Sequence, residues 1–511
     1  MEAKKDPPAK VLSLEELASV IDQLKKQGKT VVHCHGVFDL LHPGHIRHFA
    51  AAKKEGDVLI VTITPDHFVN KGPGRPVFPA ELRAESLAAL GDIDFVAINK
   101  WPTAVEAIGL LQPDIYVKDQ EYRDPKKDIT GKITEESEAV KRAGGRMHFT
   151  EEQTFSSSSI INEHLEVFPA ATKNYLSKFR SAHALSEIQQ LLHSFSDLHV
   201  LVVGDAIIDE YVTCKAIGMA SKSVTINARY LAEEAYAGGA LAIANHVAGF
   251  CKNVDLLTCL GSTDDRRAFI ESHLKPNVRP TFIKRDDGPT TVKRRYLDPF
   301  RVQKMFEVTH MEDRPLPADA SKQMQRHLDT LLQKADVVLV ADFGHGMIGP
   351  DAIETLGRSK AFLALNVQTN SANMGFNPVT KYSRADYACI DERELRIAYH
   401  DRFTDADDLA CRILSDLHAP VATITLGQHG SKTYTGGEGC PTPVFCTEVI
   451  DTVGAGDAFF SLASLAAARG ASTDVIGFLG NAAGAIASRI LGNKESVDPI
   501  PFAKFITTLL K

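Results

Sequence analysis

Residues 30–64 read "TVVHCHGVFDLLHPGHIRHFAAAKKEGDVLIVTIT". A Val-rich apolar run enters a Pro-Gly turn, a helical segment follows and stops at Gly56, and a second apolar run begins. Two short apolar runs joined by a helix are the signature of parallel strands, because a parallel crossover needs a connection of that length. The alternation continues: "PAELRAESLAALG" (79–91) predicts a helix, "IDFVAIN" (93–99) a strand, "PTAVEAIGLLQ" (102–112) a helix and "DIYVKD" (114–119) a strand. Upstream, "SLEELASVIDQLKKQG" (13–28) predicts a helix with Ser13 as its N-cap. The fold class is therefore α/β, with a doubly wound parallel sheet as the first of two domains.

That first domain is expected over 1–168. A polar helical stretch, "ATKNYLSKFRSAHALSEIQQLLHSF" (171–195), follows and is read as a linker over 169–196 or as the opening helix of the next unit. "HVLVVGDAIID" (199–209) restarts a β-first pattern that continues through "VVLVADFG", "FLALNV", "DYACID" and "VATITLG". It closes on two small-residue helices, "DAFFSLASLAAARG" and "GNAAGAIASRIL". The second domain is thus placed at 197–511, again doubly wound. A chain of 511 residues needs at least two such cores.

Bulk composition narrows the function. The net charge of −8 and the absence of a long basic run argue against nucleic acid or an anionic membrane as a partner. The eight cysteines (34, 214, 251, 259, 389, 411, 440 and 446) contain no C-x-x-C pair, which fits a reducing cytoplasm. The opening "MEAKKDPPAK" has no apolar segment, so a secretory leader is not expected, and no run is long enough to span a bilayer.

The histidine turn is the first chemical signal. Pro43 suits the first position of a helix whose free N–H groups and positive dipole end would lie beside Gly44, with His42 and His45 projecting from the same end. Such an end suits a nucleoside triphosphate, with two imidazoles steadying charge on the phosphates. Zinc would need a third ligand, and no H-E-x-x-H or neighbouring Cys supplies one. His48 alone reads as a packed or surface residue. "GVFDLLHPGH" is similar to the H-x-G-H signature of the cytidylyltransferase-like nucleotidyltransferases, over about 130 residues. The resemblance implies His42 and His45 as catalytic residues and Gly36, Phe38, Lys71, Arg83, Ser157 and Ser158 as nucleotide contacts. Lys71 and Arg83 come from "KGPGRPVFPAELR", and the two serines from "FSSSSII". Within the family, the stretch resembles the transferase half of the bifunctional heptose-7-phosphate kinases/heptose-1-phosphate adenylyltransferases. It departs from them at "KDQEY" (118–122), where Lys-Gly-Gly-Asp-Tyr is usual.

The second signal is "DTVGAGDAFF" (451–460). Gly454 and Gly456 permit a tight turn whose amides face one concavity, with Ala455 between them. Asp457 then falls in the first helical turn, where it could take a proton from a hydroxyl as a γ-phosphoryl group moves. The motif resembles the second signature of the ribokinase/PfkB sugar kinases. That resemblance implies Asp457 as the catalytic base, Asp205 and Asp209 of "VVGDAIIDEY" and Gly238 and Gly239 of "AGGALAIAN" as sugar contacts, and Gly427 of "ITLGQHG" on the nucleotide side. It also implies Glu394 of "DERE" as a carboxylate acting on Mg²⁺ through water. Three places depart from the pattern: Ala242 for Asn, Asp391 for Asn, and His345 for Lys in "DFGHG".

Together the resemblances imply a bifunctional enzyme making an NDP-activated sugar with ATP and Mg²⁺ for the kinase step and ATP or CTP for the transferase. In the family the kinase leads; here the transferase does. Two alternatives stay open. One is a CTP-dependent cytidylyltransferase acting on a polyol or sugar phosphate, with the kinase fold inert or regulatory. The other is a nucleotide- or sugar-phosphate sensor. A homodimer is expected by analogy.

Overall fold

A computed structural model describes residues 7–69, 74–123, 132–150, 167–300 and 303–511. The chain divides into two compact units, 1–169 with 503–511, and 170–502.

The first unit opens with α1 (Leu14–Lys26), where Ser13 is the N-cap, as expected, and forms a reciprocal capping box with Glu16. Then come β1 (Val31–Gly36), α2 (Pro43–Lys53), β2 (Val58–Ile63), α3 (Ala80–Ala88), β3 (Phe95–Ile98), α4 (Val105–Leu111), β4 (Ile115–Asp119), α5 (Lys132–Arg142) and β5 (Arg146–Thr150). The sheet is parallel, in the order β3-β2-β1-β4-β5. Strand order reverses between β1 and β4. In open α/β sheets, that reversal leaves a crevice at the carboxyl ends of the two strands. The histidine turn follows β1 directly. Sequence reading did not pick out α5 and β5. The first is too polar to show an apolar stripe, and the second, "RMHFT", is only partly buried.

Of the two readings of 171–195, a linker or the opening helix of the next unit, the contacts of the chain agree with the second. The stretch read as a helical linker forms α6 (Ala170–Ala182) and α7 (Leu185–Ser194), and α6 is built into this unit. Phe179 stacks on Phe478 at 4.2 Å, Tyr175 packs on Phe445, and His183 meets Asp474 at 2.6 Å. The chain continues with β6 (His199–Gly204), β7 (Ala206–Met219), β8 (Ile226–Gly239), α8 (Ala240–Phe250), β9 (Asn253–Gly261), α9 (Arg267–His273), β10 (Val278–Arg285), β11 (Thr291–Asp298) and β12 (Gln303–His310). It then runs through α10 (Ala318–Leu332), β13 (Val337–Asp342), α11 (Pro350–Arg358), β14 (Phe362–Val367), β15 (Tyr387–Asp391), α12 (Glu392–Ala398), α13 (Ala406–Asp416), β16 (Val421–Thr425), β17 (Ser431–Thr435) and β18 (Glu438–Thr442). Two helices close it, α14 (Ala455–Ala468) and α15 (Thr473–Ala487); the last helix of the chain, α16 (Pro499–Leu510), belongs from residue 503 onward to the first unit.

The main sheet has nine strands, β10-β9-β6-β13-β14-β15-β16-β17-β18, parallel except for the final antiparallel pairings. Its central strands are buried on both faces, as in β13, "VVLVAD", where every residue is buried. The order reverses between β6 and β13. A separate four-stranded sheet, β12-β11-β7-β8, stands beside it. The β-first stretch 199–209 belongs to two strands, because the chain leaves one sheet for the other at Asp205. A Cβ on Gly204 would lie 2.1 Å from the Ala341 carbonyl, and the Asp205 carboxylate accepts the amides of Phe343 and His345. Both features turn the chain at the switch point. Among the described residues, no helix is long and apolar enough to cross a membrane.

Candidate active sites

In the first unit, His42 is the N-cap of α2 and its side chain makes no capping bond; Pro43 occupies the first turn. The rings of His42 and His45 stack at 3.9 Å, 20° from parallel. Phe38, held at φ +49°, sets its ring edge-on to His45 at 5.4 Å and against Phe49 at 5.0 Å. A Cβ on Gly36 would meet that ring at 2.9 Å, so Gly36 gives Phe38 its place. Burial pushes His42 below the usual imidazole range, so it is neutral and offers one donor and one acceptor. His48 points elsewhere, with its Nδ1 2.8 Å from the Thr150 hydroxyl, as a packed histidine does.

Arg83 departs from its expected role. Its guanidinium is wholly buried, and it donates to the carbonyls of Phe78 and Thr64 and to Asp66 at 2.6 Å. A third carbonyl, that of Val37, takes a further bond. With its donors turned inward, Arg83 braces the loop behind the histidine turn and is not brought to a phosphate position. Asp39, which sequence reading passed over, does similar work by accepting the amides of Val77 and Phe78 at 2.7 and 3.1 Å. His33 and His35 both contact the Thr62 hydroxyl, at 2.7 and 2.8 Å. That hydroxyl can donate only once, so at least one of the imidazoles is the donor. Lys71, Ser157 and Ser158 lie outside the described residues. Among the described residues, no three His, Cys, Asp or Glu side chains converge as a metal-ligand set.

In the second unit, most of the expected sugar-side and catalytic residues do converge. A Cβ on Gly238 would lie 2.1 Å from Asp209 Oδ2, and one on Gly239, at φ +58°, would lie 2.8 Å from the Asp205 carbonyl. The Gly-Gly pair is there because both acids lie against its backbone. Asp209 pairs with Arg295 at 2.5 Å and accepts from the Asn493 amide at 3.2 Å. Gly454, at φ +83°, is the N-cap of α14, and a Cβ there would lie 2.1 Å from Asn493 Oδ1. Asn493 therefore ties the sugar-side acid to the glycine turn. The Ala455 amide bonds to the Thr452 carbonyl at 3.2 Å. The Gly456 and Asp457 amides follow in the first turn, where a helix has no internal acceptor to offer. Beside Gly456 the space is open.

Asp457 is buried and accepts from the Gln368 amide at 3.1 Å. Burial, followed by the nearby charge of Asp209, pushes its carboxyl up to about 7. Burial, followed by Asp342, likewise lifts Asp205 to about 7. Glu394 is also raised to about 7, chiefly by burial, and accepts the amides of Thr369 and Asp391 at 2.8 and 3.3 Å. Asp391 caps α12. An Asp there supplies the same carboxyl oxygen to the Arg393 amide that an Asn would supply by its carbonyl, so this departure keeps the local geometry. Glu394 fits Mg²⁺ as a hard oxygen donor that keeps the ion's waters, the usual mode for this ion when phosphates supply the other ligands. Gly427 follows β16, exposed, at φ +56°. Sequence reading missed Arg295, Lys293, Gln368 and Asn493. They come from segments far apart in the chain, and none belongs to a local pattern.

Two doubly wound domains, each with a helix N-terminus and proton-carrying side chains at its switch point, define a two-domain α/β transferase. The chain belongs to the pfkB family of carbohydrate kinases, which residues 197–498 match. Residues 33–164 match the cytidylyltransferase-like family. Over the N-terminal part, the chain is 42% identical across 121 residues to the bifunctional protein HldE of Sulfurimonas denitrificans, covering 23% of this chain and 25% of that protein. It is 36% identical across 169 residues to HldE of Geobacter metallireducens, covering 32% of each. It thus spans a quarter to a third of the length of these relatives. The fold of phosphofructokinase-2 from Escherichia coli, solved with substrates and products, covers 61% of this chain and 100% of that one at a TM-score of 0.50 and 14% identity.

Proposed function

We propose that the chain is a bifunctional transferase that makes an NDP-activated sugar, with a heptose as the sugar. In this reading the second unit phosphorylates the anomeric hydroxyl. Asp457 takes the hydroxyl proton, the new O–P bond forms to the γ-phosphorus of ATP, the bond to the β-γ bridging oxygen breaks, and ADP leaves. The Gly456 and Asp457 amides hold the moving phosphoryl group at the end of α14, and Asp205 and Asp209 orient the sugar hydroxyls. Glu394 would hold Mg²⁺ through water, and the ion would supply charge neutralisation at the ATP phosphates. In the first unit, a sugar 1-phosphate oxygen attacks the α-phosphorus of ATP or CTP and pyrophosphate leaves, with His42 and His45 steadying the charge. Lys71, Ser157 and Ser158 complete that proposal as triphosphate contacts.

The observation that carries the reading is the placement of Asp457 in the first turn after the glycine turn, within electrostatic reach of Asp209, whose partner Asn493 lies against Gly454. The likeness of the N-terminal part to HldE supports the choice of heptose. Homodimerisation belongs to the same reading, supported by apolar side chains exposed on the separate sheet, among them Ile217, Met219, Ile226 and Phe306. The test is ADP formation with free and phosphorylated heptose, followed by pyrophosphate release from ATP or CTP with heptose 1-phosphate. Both activities support the proposal. Pyrophosphate release from CTP without any ADP formation would instead favour a cytidylyltransferase whose kinase fold is regulatory.

A further inference from the structure

Lys293 lies on β11, which runs parallel to β7 with Lys293 level with Asp209. Residues level with each other on neighbouring strands face the same side of a sheet, and so do residues two apart on one strand. Lys293, Arg295 and Asp209 therefore share one face, the one that carries the sugar-side acid. Arg295 is fully engaged there, holding Asp209 at 2.5 Å and Glu307 at 2.9 Å. The second oxygen of Asp209 takes the Asn493 amide at 3.2 Å, so the carboxylate is bound at both ends without Lys293.

Lys293 is half-buried. Among the described residues its ammonium has neither a hydrogen-bond nor an ion-pair partner, and it is not one of the side-chain nitrogens sealed from solvent. The other cations around the site are engaged: Lys304 with Asp451, Lys381 with Asp342 and Arg285 with Asp287. His345, which stands where the sequence pattern has Lys, is held at about 3 by burial and so brings no charge. Burial also lowers Lys293, with Asp209 first among the charges that oppose the shift. Its charge reaches Asp457 in the first turn after the glycine turn as well. Withdrawing an ammonium from water is costly unless an anion offsets it, and here no side chain of the fold comes close enough to bond. The anion that a kinase site receives is a phosphate.

We propose that Lys293 is a phosphate-binding residue of the kinase site, its ammonium donating to a phosphate oxygen that arrives with a substrate. This rests on the kinase reading above and adds a residue that the reading does not use. Two sources offer the same group: the γ-phosphoryl of ATP in transfer at the glycine turn, and a phosphate ester already on the acceptor sugar. A lysine suits either, as a point charge with three donors on a flexible stem. In the first case it offsets charge on the phosphoryl oxygens during transfer; in the second it holds the acceptor by its ester.

The test uses the full-length chain, with ADP formation measured at pH 7 and 8.5 for ribose, mannose and a heptose, each free and as its terminal phosphate ester. Lys293→Met keeps the stem and removes the charge; Lys293→Arg keeps the charge. Because the ammonium has no partner in the fold, the Met variant is expected to melt no lower than the wild type. If the γ-phosphoryl is the group held, the Met variant should lose about 10²–10³-fold in kcat with free and phosphorylated acceptors alike. If the acceptor's ester is held, KM should rise about ten- to a hundredfold for phosphorylated acceptors alone. Arg should recover most of either loss. Either pattern supports the proposal and names the source of the phosphate. A Met variant within about threefold of the wild type in kcat and in every KM overturns it and leaves the kinase reading standing. So does a loss at pH 7 that disappears at pH 8.5, because Lys293 would then act only by keeping Asp457 ionised. A Met variant that melts well below the wild type also overturns it, by making Lys293 a structural cation. If the wild type forms no ADP with any of the six acceptors, the kinase reading fails and takes this proposal with it.

Discussion

Asp457 must be ionised to accept a proton, and its carboxyl is held at about 7 by burial and by Asp209. Half of the molecules are therefore in the wrong state at neutral pH, and kcat/KM for the kinase step should rise about fivefold between pH 6 and 7, gain about another twofold by pH 8 and level off above it. A profile that is flat over that range would mean another group carries the proton. Asp457→Asn keeps the shape and the Gln368 contact region but cannot take the proton; kcat should fall by about 10²–10⁴ with little change in the KM for ATP. In the first unit, His45→Ala removes one ring of the stacked pair, and pyrophosphate release should fall by about 10²–10³. Both motifs were legible because each packs its chemistry into a few consecutive residues at a helix start. Arg83 was misread for the converse reason: a sequence shows that a cation is present but not which way its donors turn, and this one turns to backbone carbonyls.

At the scale of elements, α14 and its glycine turn form the tightest fit in the second unit. Gly454→Ala would force a Cβ into the Asn493 side chain at a φ that L residues rarely adopt, so it should cost about 1–3 kcal/mol of stability and abolish the kinase step. Gly456 has nothing within 4 Å of its Cβ position and a helical backbone, so Gly456→Ala should leave the melting temperature unchanged or slightly raised. Thermal unfolding of the two variants side by side checks this, and equal destabilisation would mean that Asn493 yields. Parallel strands were readable in the sequence because they are apolar throughout. The separate sheet was not. Its strands β7, β8, β11 and β12 carry charges on exposed faces and obey neither the continuous nor the alternating pattern over their full length. Lys304 of β12 nonetheless reaches Asp451 at 2.6 Å, at the head of the motif that ends in Asp457. The least legible sheet is thus bonded to the most legible segment.

Across the whole molecule, both units bury histidines held neutral, but among the carboxyls raised to about 7 all three lie in the second unit, and this gives the two units opposite responses to acid. In the first unit His33 is held at about 3 and His48 at about 4 by burial, with His35 also far below its usual range. A group whose folded pKa is depressed takes up protons in the unfolded chain first, so stability falls as pH drops below about 6.5; at pH 5.5 each such histidine costs about 1.4 kcal/mol. The second unit also holds two such histidines, His246 at about 4 and His345 at about 3. Against them stand Asp205, Asp457 and Glu394, all raised to about 7. A carboxyl whose folded pKa is raised binds its proton in the fold first, so it costs stability as pH rises from about 4 to 7 and returns about 2 kcal/mol when pH falls from 7.5 to 5.5. Three such carboxyls outweigh two histidines. Acidification over that interval should therefore weaken amide-exchange protection in Val31–Gly36 and preserve or strengthen it in Val337–Asp342. Equal loss in both strands would show that the carboxyls are ionised in the fold at pH 5.5, and with that the proton-accepting state of Asp457 would be present well below neutral pH. The stability profile and the kinase pH profile thus read the same buried acid from two sides, and they must agree.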